Sequence, residues 1–193
     1  MPSRLNGLFK TLAWSDFQGN PDPAKPNLQA FTRSTFNLPV IAPTPIPGSK
    51  TFHYEDNIVI TIVMDPQQSW KRQPPNDLLK HEQGHYDITA LIARDLFIEL
   101  MQLKPNTYSS HAAALADLRP ILDKYRGTAE KISKIYDSKN ETDHGNAPAS
   151  QTKWNNMIKR AFTEQRNPQE TAPDGTPYKV EFLDVLSQNG INP

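Results

Sequence analysis

Residues Asp77 to Leu103 read DLLKHEQGHYDITALIARDLFIELMQL, a run without proline in which Gly84 is the one glycine. Asn76 or Asp77 can cap a helix N-terminus, and Pro105 with Asn106 follows the last apolar residue, so the run predicts one long helix. Inside it stands His81-Glu82-Gln83-Gly84-His85. Residues four apart share a helix face, with Cβ atoms about 6 Å apart, so both imidazoles point the same way and can hold one metal ion. Glu82 is turned about 100° from His81, which aims its carboxylate at a water on that ion and not at the ion itself. With five histidines in 193 residues, chance would give such an HExxH pattern about once in 200 chains of this composition.

The rest of the run shows where the helix sits. His81, His85, Ile88, Ile92, Leu96 and Leu103 share one face, and Leu79, Ala90, Phe97 and Met101 widen the apolar surface. Mainly Lys80, Asp87, Arg94 and Gln102 are left for solvent. A helix this apolar belongs in the core, and histidines near its buried N-terminal end need partners, which a metal supplies.

Composition narrows the options. Twenty-one basic and 21 acidic residues cancel, so no net field draws the chain to nucleic acid or to an anionic membrane. Without cysteine, disulfides, thiolate nucleophiles and cysteine zinc sites are excluded, and any metal must be held by His and carboxylates. No apolar run approaches a membrane span, and Met1 to Phe17 lacks the apolar core of a signal peptide, which leaves export open only through a leader already removed. The length suits one domain, 1–193, divided into a proline-rich arm with edge segments at 1–50, a catalytic core at 51–166 and a tail at 167–193.

Outside the helix, Leu12 to Gly19 (LAWSDFQG) reads as an N-terminal arm anchored by Trp14 and Phe17. Pro39, Pro43, Pro45 and Pro47 make 38–47 extended. Asn57 to Met64, β-branched throughout, is the clearest strand and is apolar on both faces, so it belongs within a sheet that the long helix covers. Thr51 to Tyr54 is a candidate partner strand. A second helix is expected from Ser109 or Ser110 to about Asp137. Its seam is Leu115, Leu118, Leu122, Tyr125, Ala129, Ile132 and Tyr136, with a bend at Pro120 and a weak point at Gly127. The short connection makes it an antiparallel neighbour of the first. Gln151 to Gln165 predicts a third helix with Pro148 in its first turn. Asp174-Gly175 predicts a turn, and Tyr178 to Val185 a strand.

Two histidines do not complete a catalytic zinc site, for which three protein ligands and a water are usual. Glu99 shares the histidine face but lies about 27 Å from His81 along the axis, too far to help. His53 and His111 stand alone. Antiparallel packing brings the end of the second helix level with the start of the first, so the loop Thr142-Asp143-His144-Gly145 can reach the site. His144 is the expected third ligand, with Asp143 the alternative. Asp87, Asp137 or Asp143 can orient a ligand imidazole from outside. Tyr136 is a candidate donor to a developing oxyanion.

The run LLKHEQGHYDIT, the later Tyr136-Asp137, Thr142 to Gly145, Gln151 and Trp154, and the N-terminal LAWSDFQG together resemble a bacterial family of zinc-dependent proteases that is largely uncharacterised. The likeness extends over about 12–154, and Tyr86 stands where the family pattern has Phe. It implies a zincin-like peptidase and leaves the substrate open.

The sequence thus predicts an α+β, zincin-like domain with a small sheet on a central metal-bearing helix and two further helices. Its expected activity is zinc-dependent hydrolysis of a protein or peptide substrate. Zn2+ is held by His81, His85 and His144, and Glu82 is the general base. Peptidases of this kind usually bind substrate along a sheet edge beside the metal helix, for which 51–54 and 57–64 are the candidates. The rival readings are a zinc amide hydrolase acting on a cell-wall or other non-protein substrate, and a binding domain in which the metal only braces the helices.

Overall fold

The structure is a computed structural model describing residues 2–75, 77–167 and 178–193. The predicted long helix is α1, Leu78–Leu103. Most of the other described elements pack against it. Buried side chains face in all directions from its middle, Ile88 and Ala90 to Ala93 among them, as expected of a helix too apolar to sit at a surface. Of the two caps offered above, Asp77 is at the N-cap position but makes no capping hydrogen bond, and Asn76 lies outside the described residues.

On one side of α1 lies a three-stranded sheet. Its middle strand, β6 (Val59–Met64), is flanked by β1 (Arg4–Asn6), parallel to it, and by β3 (Ser34–Asn37), antiparallel. The β-branched run is therefore internal to a sheet that the helix covers, as its two apolar faces require. Two short pairs accompany it: β2 (Ala30–Phe31) with β7 (Trp70–Lys71), and β4 (Thr44–Pro45) with β5 (Phe52–His53). The expected partnership of Thr51 to Tyr54 with the main strand is therefore not formed. Phe52 pairs with Pro45 and bridges to Tyr108 instead.

The second predicted helix is two. Ser110 Oγ caps α2 (His111–Tyr125) by accepting from the Ala113 N–H at 3.1 Å. The helix runs on through Pro120, then stops at Arg126, and α3 (Thr128–Tyr136) starts after Gly127 at φ +70°. A glycine free to adopt the left-handed region breaks the run where proline does not. The seam survives the break, with Leu118, Tyr125, Ile132 and Tyr136 all buried. The third predicted helix, α4 (Pro148–Thr163), begins at its proline. The expected strand at the C-terminus is a helix instead, α5 (Phe182–Gln188), after one bridge between Lys179 and Gln165. Phe182, Val185 and Leu186 are all buried, a three-then-four spacing that suits a helix face. The predicted Asp174-Gly175 turn lies outside the described residues.

Arg94, expected in solvent, is buried. It pairs with Asp95 and donates to the carbonyls of Ala161 and Val180 at 2.6 and 2.8 Å, while Asp95 Oδ2 accepts the Phe182 N–H at 2.6 Å. One charged pair on α1 thus ties down the end of α4 and the start of α5.

Candidate metal centre

α1 delivers His81, Glu82 and His85 together at its N-terminal end, all buried. α3 runs back toward this end, and the residue just past its last turn is Asp137. Its Oδ1 lies 3.0 Å from His81 Nε2 and 3.0 Å from His85 Nε2. These three side chains present donor atoms within 4.8 Å of one another. Around a tetrahedral ion with bonds of about 2.0–2.1 Å, neighbouring donors stand about 3.3 Å apart, so the set is close to the size that zinc takes.

The protonation states argue the same way. Gln151 Nε2 donates to the Tyr136 hydroxyl at 2.6 Å and to Asn155 Oδ1 at 2.9 Å, which fixes the amide and turns its Oε1 toward His81 Nδ1 at 3.1 Å. His81 Nδ1 therefore carries the hydrogen, and in the neutral ring Nε2 is a lone pair facing the Asp137 carboxylate. Two lone pairs at 3.0 Å repel unless a positive charge, a proton or a metal ion, lies between them. Burial alone would raise the Asp137 carboxyl, but where that positive charge is a proton, hydrogen bonds from the two imidazoles outweigh burial and hold the group well below the usual carboxylate range. The Asp137 carboxylate in turn lifts His85 above its ordinary value against the opposing effect of burial. The residues fit a divalent cation with two nitrogens and one carboxylate oxygen.

His144, the expected third ligand, takes a lesser place. Its Nδ1 is 3.6 Å from Asp137 Oδ1, its side chain is 46% exposed, and it is outside the three-donor group. Asp143 is outside that group too. The loop's backbone is unusual here: Asp143, His144 and Gly145 have φ of +48°, +52° and +85°, a left-handed run that leaves the His144 ring half exposed at the rim of the donors. The same loop puts Thr142 Oγ1, which donates to the Tyr136 carbonyl, 3.5 Å from His81 Nδ1. Gly145 passes so close to α1 that a Cβ there would sit 3.2 Å from His81 Cβ.

Tyr136 also differs from expectation. Its ring stacks on His81 with centroids 4.6 Å apart and planes 9° apart, and its hydroxyl donates to the His81 carbonyl at 3.3 Å. It is fully buried behind the histidine, and burial pushes its hydroxyl well above the ordinary tyrosine value. Tyr136 positions His81 and does not face a substrate. Gly84 explains itself here, since a Cβ at that position would lie 2.2 Å from the Tyr136 hydroxyl. Gln151 and Thr142, which hold His81 from behind, carry no spacing signal of their own; their marks in the sequence are the motifs quoted above.

Glu82 is buried, and its Oε2 accepts from Thr32 Oγ1 at 2.6 Å. Thr32 sits between β2 and β3, and two residues on Ser34 Oγ bonds Thr89 Oγ1 at 2.7 Å and the His85 carbonyl at 3.2 Å. The segment 30–36 therefore runs past the site and is fastened to it at two points. β6 is flanked on both sides and β5 belongs to another pair, so neither candidate edge named above is the open one. The open edge beside the metal helix is β3. From its ladder with β6, in which Arg33 O accepts the Asp65 N–H, alternation turns the backbone N–H and C=O of Ser34 and Phe36 outward.

Cavities lie on both sides of the donors. One of about 440 Å³ follows β3 and α3 and includes His85 and Asp137. The other, about 170 Å³, is bounded by Asn27 to Phe31, Leu78, His81, Glu82 and His144. A third, of about 590 Å³, lies apart from the donors, between the N-terminal arm, α1 and α4. No helix among the described residues is long and apolar enough to cross a membrane.

No family model matches the chain, and no curated protein or solved structure matches it either. The reading of the site rests on its own geometry.

Proposed function

We propose that the protein is a zinc-dependent metallopeptidase in which His81, His85 and Asp137 hold the ion and Glu82 is the general base. The observation that carries this reading is the buried Glu82 carboxylate beside three convergent donors. A metal that only braced helices would need the donors and would have no use for a fourth, costly buried acid. Zinc in a set of two imidazoles and a carboxylate supplies a water with a pKa of about 7 and polarises a carbonyl.

The chain's own residues do the rest. Thr32 occupies Glu82 Oε2, which leaves Oε1 to take the proton from the attacking water and pass it to the leaving amine. Gln151 fixes the His81 tautomer, so that Nε2 is the ligating atom. The outward backbone groups of Ser34 and Phe36 can pair with an extended peptide and lay its carbonyl across the donors. With cavities to either side, the arrangement suits cleavage within a chain.

Elemental analysis and a cleavage assay on a peptide library test the proposal together. About one zinc per chain is expected, with turnover that a chelator abolishes. Glu82→Gln should keep zinc and fold yet lose about 10²–10⁴-fold in turnover. Full turnover in that variant would refute the mechanism.

A further inference from the structure

The larger cavity beside the donors is lined by more cations than free carboxylates. Its charged lining residues are Lys25, Arg33, Lys134, Glu130, His85 and Asp137. Asp137 is engaged with the two histidines. Lys134 Nζ and Glu130 Oε1 are 2.8 Å apart and offset one another. Arg33 also acts on Glu130, which it helps Lys134 to hold below the usual carboxylate range, so that one carboxylate serves two cations, and Lys25 forms no ion pair among the described residues. The chain as a whole carries 21 charges of each sign, so three cations against the single free carboxylate of Glu130 in one cleft are a local excess of positive charge.

The Lys25 ammonium and the Arg33 backbone are held in place. The Lys25 ammonium sits 4.4 Å above the Phe31 ring, which is itself stacked on Trp70 with centroids 6.2 Å apart. Arg33 has its backbone pinned on both sides, its N–H to Ser69 Oγ at 2.9 Å and its carbonyl by the Asp65 N–H at 2.8 Å. It immediately precedes β3, next to the residues whose backbone faces outward. A peptide lying along β3 would carry its side chains past these two groups. An apolar occupant would desolvate both cations without return, and a basic one would repel them; an acidic one meets opposite charge in a cleft that concentrates the field.

We propose that this cavity is a subsite for an acidic side chain, read by Lys25 and Arg33, so that the substrate is a peptide with Asp or Glu beside the cleaved bond. The inference rests on the hydrolytic reading of the site for the word substrate, and on the cleft alone for the preference.

The test is binding to the zinc-loaded Glu82→Gln protein of labelled decapeptides in which one Glu is walked through a glutamine host. At low salt the best Glu peptide should bind about tenfold more tightly than the host, and the difference should shrink in 0.5 M NaCl. Lys25→Ala with Arg33→Ala should remove the preference, and Lys25→Glu with Arg33→Glu should turn it toward a lysine peptide. Equal binding of every Glu peptide and the host overturns the proposal, as does a preference that persists in the double variants. Cleavage of the same peptides by the unmodified protein separates the two claims. Cleavage without acidic preference overturns the subsite alone, whereas acidic preference in binding without any cleavage supports the subsite and overturns the peptidase reading.

Discussion

α1 carries two buried polar clusters, nine residues apart, and they are built on opposite plans. At Arg94 and Asp95 every charge is answered by protein: the guanidinium by a carboxylate and two carbonyls, and the carboxylate by that guanidinium and the Phe182 amide. At His81 and His85 two imidazole nitrogens and a carboxylate oxygen converge on one another, an arrangement of acceptors that wants a cation from outside. The first is a closed network that fastens α4 and α5 to the core. The second gathers lone pairs at one point and keeps a further carboxylate, Glu82, beside them. Burial alone does not mark a functional cluster; what marks it is a donor count that protein groups leave unbalanced.

The two plans are separated most sharply by removing one carboxylate from each. Asp137→Ala should weaken zinc binding by more than about 100-fold, the upper range for a supporting residue. His144→Ala should stay within about tenfold of the parent. Zinc titration against a competing chelator measures both, and the reverse order would make His144 the ligand. Asp95→Ala should do the opposite, costing about 3–5 kcal/mol of stability by stranding Arg94 while the folded fraction binds zinc as before. Denaturant unfolding with and without zinc reads that difference.

Smaller changes probe what stands behind His81. Gln151→Ala frees the His81 tautomer and should weaken zinc about 10–100-fold without moving the unfolding midpoint of the metal-free protein much. Gly84→Ala drives a methyl toward the Tyr136 hydroxyl, 2.2 Å from the built Cβ, and should cost about 1–3 kcal/mol as overpacking together with some zinc affinity. A fully stable, fully zinc-binding Gly84→Ala protein would contradict the stacking described here.

The smallest effect concerns Asp87, which burial raises to about 6 from 3.8 while a hydrogen bond from Gln83 works the other way. The folded state then holds this proton more tightly than the unfolded state. Asp87 therefore contributes stability below about pH 4, and the contribution is lost as pH rises through about 6. Asp87→Asn should flatten the stability profile of the metal-free protein across that window and gain about 1 kcal/mol at neutral pH. Parallel profiles for the two proteins would show that Asp87 is not shifted.

What the sequence determined by itself is everything set by neighbours along the chain. The α1 helix, the common face of His81 and His85, the turn of Glu82 away from that face, the β6 strand and the proline start of α4 all follow from periodicities of two and 3.6 and from the fit of proline in a first helical turn. The approach of α3 to the start of α1 was also legible, because a short connection forces two apolar helices to lie antiparallel. Tertiary structure decided which group stands against the two imidazoles. Asp137 and His144 are seven residues apart, and the choice between them depends on a left-handed turn and on where α3 stops, neither of which a composition or a period records. It also decided that β3 is the open edge and that Arg94 is buried. Those outcomes depend on contacts between residues some 30 to 90 positions apart, and such contacts are set by how whole elements pack and not by any local preference.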